Sequence, residues 1–94
     1  MTPSFEEYQA DALHAGFDAV LVRDWLPGYT MGEHAHDPAI RALVVRGELW
    51  VKSADRLQRC RAGDYFELDA GELHSEGAGA DGAQFWVAQR HPAS

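Results

Sequence analysis

The sequence predicts an all-β fold, a small antiparallel β-barrel or jelly roll, preceded by one short helix. From Phe17 onward, short runs rich in valine, leucine and aromatic residues are separated at regular intervals by glycine- and aspartate-containing turns, the pattern of many short strands. Before Phe17 the spacing is helical, and Ser4 and Glu7 stand at capping-box distance. With 94 residues, 46% of them hydrophobic, the chain can build a core, and antiparallel strands of this number and length remove most exposed edges by closing on themselves.

In the helical segment Phe5, Tyr8, Ala12 and Leu13 form one apolar face for packing on a sheet or on a partner subunit. Gly16 would end the helix, and His14 in its last turn suits the helix dipole. Strands are expected near Ala19 to Trp25, Tyr29 to His36, Arg41 to Val45, Glu48 to Ser53, Arg56 to Arg61, Tyr65 to Leu68, His74 to Gly77 and Gln84 to Arg90. Arg46-Gly47, Ala54-Asp55, Gly63-Asp64 and Ala70-Gly71 serve as tight turns. Gly77 to Ala83, rich in glycine and alanine, is expected to be a mobile loop. Residues 1–94 are taken as one domain: a helical segment at 1–16, the barrel at 17–90 and a tail at 91–94.

The net charge of −7, with Lys52 the only lysine, argues against nucleic-acid binding, which depends on neutralising phosphates. Arg41, Arg46, Arg56, Arg59 and Arg61 cluster in the middle of the chain. They read as solvated strand edges, with a pocket for an acidic ligand as the other reading. No apolar run approaches a bilayer crossing and no signal-peptide pattern opens the chain, so no membrane partner and a cytoplasmic location are expected. The single cysteine, Cys60, excludes an intramolecular disulfide. Flanking arginines would favour its thiolate, but no histidine in the sequence is placed to pair with it, and it is left out of the site.

Three of the five histidines fall in two short glycine-punctuated stretches. His34 and His36 are two residues apart, so a strand there would put both imidazoles on one face, where they can share a metal. Glu76 stands in the same relation to His74. By alternation it is a fourth ligand or a nearby base; the competing reading turns it to water as the strand ends before Gly77. Glu33, beside His34, should point outward.

The two stretches have a recognisable spacing. The first runs Gly28, five residues, His34-Ala35-His36, ten residues, Gly47; the second runs Gly63, five residues, Asp69-Ala70-Gly71, two residues, His74. This resembles the paired motifs of the cupin superfamily, in particular its small single-domain bacterial members. The resemblance covers Gly28 to about Ala88. It departs from the usual pattern at the glutamate ligand position, which holds Ile40 or, under the longer spacing, Arg41; at the proline position, which holds Asp69; and at the asparagine position, which holds Ala78.

The resemblance implies a jelly-roll barrel with His34, His36 and His74 as the ligands of one divalent transition metal. Three imidazoles with open positions resemble the cupin dioxygenases that lack the glutamate, if the ion is iron. Zinc, manganese or nickel would suit isomerase or lyase chemistry on a small polar metabolite, with Glu76 as a catalytic proton carrier. The alternative is a non-catalytic module that binds or senses a metal or small molecule, as in the ligand-sensing cupins of bacterial regulators, and a third is that the histidines bind nothing. Phe66, Leu68, Phe85 and Val87 offer apolar lining, while Trp50 and Trp86 are assigned to core or interface. Small cupins resemble homodimers, and the helix with an exposed β edge offers a surface for one.

Overall fold

The computed structural model describes residues 2–92, so the last two residues of the expected tail lie outside the described residues. Helix α1 (Phe5–His14) starts with the expected capping box: the Ser4 hydroxyl accepts the Glu7 N–H at 3.1 Å and the Glu7 carboxylate accepts the Ser4 N–H at 3.0 Å. Six strands follow: β1 (Ala19–Trp25), β2 (Thr30–His34), β3 (Ala39–Ser53), β4 (Arg56–Arg61), β5 (Tyr65–Leu68) and β6 (His74–Arg90). Every pairing is antiparallel.

Two long strands make the closed architecture. The first half of β3 pairs with β5 and with the second half of β6, which also carries β1. The second half of β3 pairs with β4 and with the first half of β6, which carries β2. Two layers thus share β3 and β6, and their inner faces meet in one core that includes Ile40, Val44, Phe66, Phe85 and Val87 from the first layer and Leu49, Val51, Cys60 and Ala78 from the second.

Sequence reading divided each long strand in two, and both divisions need correction. Arg46-Gly47 is no hairpin turn but the bend of a continuous β3, with register shifts on either side. Gly77 to Ala83 is no mobile loop but the middle of β6. The glycines that suggested breaks serve the bend instead. Gly47 and Gly82 have φ of +76° and +75°, a region costly for side-chain-bearing residues. A Cβ on Gly47 would overlap the Gly82 carbonyl oxygen, and one on Gly82 would come within 2.6 Å of the Trp25 carbonyl oxygen. The bends also shift the inward alternation, from Ile40, Ala42 and Val44 to Leu49 and Val51 on β3, and from Ala78 to Ala83 and Phe85 on β6. Bulges change which parity faces the core.

On the outer face of the first layer, α1 lays Tyr8 and Ala12 against Leu43 and Ala88, with Trp86 beside them. Leu13, assigned to that face, is half exposed. Trp86 meets Phe5 edge-on at 5.3 Å and Trp50 lies over Gly77, so neither closes a pocket. Arg56, Arg59 and Arg61 are exposed on edge strand β4 as expected. Arg41 differs: it is half-buried and stacks over the Phe17 ring at 5.1 Å. Cys60 is fully buried, and that burial pushes its thiol up to about 11, the reverse of activation. No helix among the described residues is long and apolar enough to cross a membrane.

Candidate metal centre

His34, His36, His74 and Glu76 converge between the layers, each offering a ligand atom, with all four atoms within 4.8 Å of one another. The imidazole centroids are 4.3 Å apart for His34 and His74, 4.7 Å for His36 and His74, and 5.5 Å for His34 and His36. His34 is directly opposite His74 across the β2–β6 ladder. His36, expected on the same strand face as His34, lies two residues past the end of β2. The β2–β6 register shifts between Met31 and His34 and the pairing ends at His34–His74, so His36 joins the cluster from the chain just past the strand.

The loops hold the rings in place. The Gly71 N–H donates to the His36 carbonyl at 2.9 Å, tying the second glycine-rich stretch to the first. Carbonyl oxygens only accept, so the Nδ1 atoms of His34 and His74 carry the protons, donated to the Gly32 carbonyl at 2.6 Å and the Glu72 carbonyl at 2.9 Å. This orientation turns Nε2 of both residues toward the cluster, and in the neutral ring that nitrogen carries the lone pair a metal needs. His74 Nε2 is buried without a hydrogen-bond partner, a position that a metal ion shared with the neighbouring donors would satisfy.

Glu76 faces the cluster rather than water. It is 7% exposed, with one oxygen 3.6 Å from His34 Nε2 and the other 3.6 Å from His74 Nε2. Burial pushes its carboxyl above the usual carboxylate range, against the pull of the two imidazoles. Burial first, then the neighbouring imidazoles, pulls His36 below the usual histidine range and favours its neutral form. Three neutral imidazoles and a carboxylate in this spacing fit a divalent transition metal. Ile40 lines the wall of the cavity, and the carboxylate in the cluster is that of Glu76, two residues after His74.

Sequence reading missed two groups of residues. The first fixes His74: the Ser53 hydroxyl donates to the Glu72 carboxylate and to the Leu73 carbonyl, and the Asp69 N–H donates to Glu72 at 2.9 Å. The Ser53 contacts join residues 19 and 20 positions apart through a loop whose path no periodicity reveals. The second surrounds a cavity of about 530 Å³ that the cluster faces, with Arg23, Trp25, Tyr29, Gln89 and His91 among its lining. For these a signal existed: Arg23 and Trp25 are two apart on β1, as are Phe85, Val87 and Gln89 on β6.

A sequence model of the AraC-like ligand binding domain matches residues 16–93. The chain belongs to the AraC-like ligand-binding domain family. It is a small cupin, and solved cupins share its fold. Oxalate decarboxylase from Bacillus subtilis, in a variant form, is similar over 84% of this chain and 22% of its own, with TM-score 0.73 and 24% identity. The cupin domain of Schizosaccharomyces pombe Cnp3 is similar over 79% of this chain and 52% of its own, with TM-score 0.71 and 13% identity. A cupin superfamily protein from Desulfitobacterium hafniense is similar over 79% of this chain and 80% of its own, with TM-score 0.64 and 13% identity. This AraC-like domain thus spans about a fifth of the decarboxylase and half of the Cnp3 chain. No curated protein sequence matches it.

Proposed function

We propose that this chain is a metal-binding cupin whose mononuclear centre, held by His34, His36 and His74 and completed by Glu76, acts on a small polar metabolite bound in the adjoining cavity. The observation that carries this reading is the buried, partnerless Nε2 of His74 within a cluster of four potential ligands. Packing a carboxylate and an imidazole nitrogen away from water with no mutual hydrogen bond costs stability, and a shared cation would offset that cost. A bound divalent ion would supply Lewis acidity and, as iron, access to oxygen.

The chain's own residues supply orientation and proton handling. The Gly32 and Glu72 carbonyls hold His34 and His74 with Nε2 inward. Glu76, 3.6 Å from both ring nitrogens, would balance charge as a fourth ligand or, left unligated, would take a proton from a bound metabolite. Ile40, Phe66, Phe85 and Val87 keep the cavity wall apolar. Dioxygenase, isomerase and lyase chemistry are all within reach of such a centre. The non-catalytic reading, a cupin that senses a metal or small molecule, is favoured by the match to a ligand-binding domain.

Cobalt(II) titration of chelator-stripped protein, followed by visible absorption, tests the centre. Saturation near one ion per chain, with bands that change in Glu76→Gln, is the expected result. No saturable spectrum would remove the centre, and bands identical in Glu76→Gln would remove Glu76 from it.

A further inference from the structure

The cavity beside the cluster contains a single lysine or arginine, Arg23, in a lining otherwise made largely of Trp25, Ile40, Phe66, Phe85 and Val87. Strand alternation places Arg23 on the same inner face as Trp25, directly opposite Phe85. Arg23 is exposed where it lines the cavity and meets no carboxylate within ion-pair distance among the described residues; Arg41, Arg56, Arg59 and Arg90 are likewise unpaired, and Arg23 differs from them in facing the cavity. In a chain of net charge −7, an unpaired guanidinium in the cavity wall marks the place where an anion is accepted rather than repelled.

We infer that the ligand of this cavity is an amphipathic carboxylate, its anionic group paired with Arg23 beside the metal cluster and its apolar body against Trp25, Phe85 and Val87. The planar guanidinium fork matches a carboxylate in two parallel hydrogen bonds. The inference rests on the proposed centre for the neighbouring charge: three neutral imidazoles and one carboxylate leave a divalent ion with a net positive charge, which a monoanion offsets. A cavity of about 530 Å³ is far larger than a bare carboxylate needs, and its apolar wall gains from a hydrocarbon or aromatic body.

Calorimetric titration of the full chain, at measured metal content, tests this with 3-phenylpropionate, its uncharged amide and propionate as probes. The acid is expected to bind roughly tenfold or more tightly than the amide, in keeping with a charge-assisted pair, and more tightly than propionate. Arg23→Gln should abolish the preference for the acid, Arg23→Lys should keep part of it, and Arg59→Gln, which removes the same charge from the exposed β4 edge, should leave it intact. An amide that matches the acid, an acid that binds Arg23→Gln unchanged, equal losses in Arg59→Gln, or no binding of the acid at millimolar concentration would each overturn the inference. The two proposals separate cleanly. A chain that takes up no metal yet distinguishes acid from amide through Arg23 keeps this inference and loses the centre; a metal-loaded chain that does not distinguish them does the reverse.

Discussion

On the outer face of the first layer and on the inner face of the second, buried polar atoms are treated in opposite ways. Under the helix, the Tyr8 hydroxyl is surrounded by apolar side chains but donates toward the carbonyls of Arg41, at 2.8 Å, and Trp86, at 3.2 Å. Burial holds its phenol protonated, with a pKa pushed up to about 12. Between the layers, His74 Nε2 has no partner and Glu76 has only ring nitrogens at 3.6 Å. The Tyr8 hydroxyl is satisfied without any ligand, although Arg41 Nε, which stacks over Phe17 beside it, is buried without a partner. The cluster between the layers gathers ring nitrogens and a carboxyl without mutual hydrogen bonds, which costs stability and suits a cation.

The contrast can be broken by exchanging these properties. The largest effect on stability should come from Tyr8→Ala, at about 3–5 kcal/mol, with Tyr8→Phe costing about 1 kcal/mol; metal uptake by the folded fraction should be unchanged in both. Thermal melts with paired metal titrations would check this, and altered metal affinity would mean that the two faces are coupled. Glu76→Gln should act in the opposite direction. In chelator it should stabilise the fold by about 1 kcal/mol, a rise of about 4–8 °C in melting temperature, while weakening metal binding. The sign follows from the raised carboxyl: the folded state holds that proton more tightly than the unfolded chain does, so stability falls as pH rises through its titration. The gain from glutamine should therefore grow from acid toward neutral pH, and a variant less stable than the parent in chelator would contradict it.

Smaller changes sharpen the account. Ser53→Ala loosens the clasp on the loop that carries the Glu72 carbonyl, and should reduce metal affinity roughly tenfold with little change in melting temperature. Unchanged affinity would make the clasp purely structural. The smallest effect belongs to Asp18→Asn, which removes the exposed contacts to the His91 N–H and ring. These contacts hold the Asp18 carboxyl below its usual range, so their stabilisation is present above the carboxylate range and lost as pH falls through it. A melt near neutral pH should barely register the change, and metal content should not.

The legible parts of this molecule were those written in local patterns. The capping box, β1, β4, β5 and the histidine-glycine spacing are set by residues within a few positions of one another. What failed was long range in origin. Gly47 read as a tight turn and Gly82 as part of a mobile loop because glycine serves turns, loops and bulges equally, and only the contact between them distinguishes these. Glu76 was balanced between site and solvent because its orientation depends on β6 continuing past Gly77, a consequence of that same bend. His36 was assigned to the site by strand alternation, yet reaches it from beyond the strand end.

The central claim is that His34, His36 and His74 hold one metal ion together. Elemental analysis of protein purified without tag or chelator, beside His74→Ala, tests it most directly. About one transition-metal ion per chain, lost in the variant while its thermal transition persists, is the predicted result. Equal metal content in parent and variant, or no uptake by the parent on reconstitution, would contradict it.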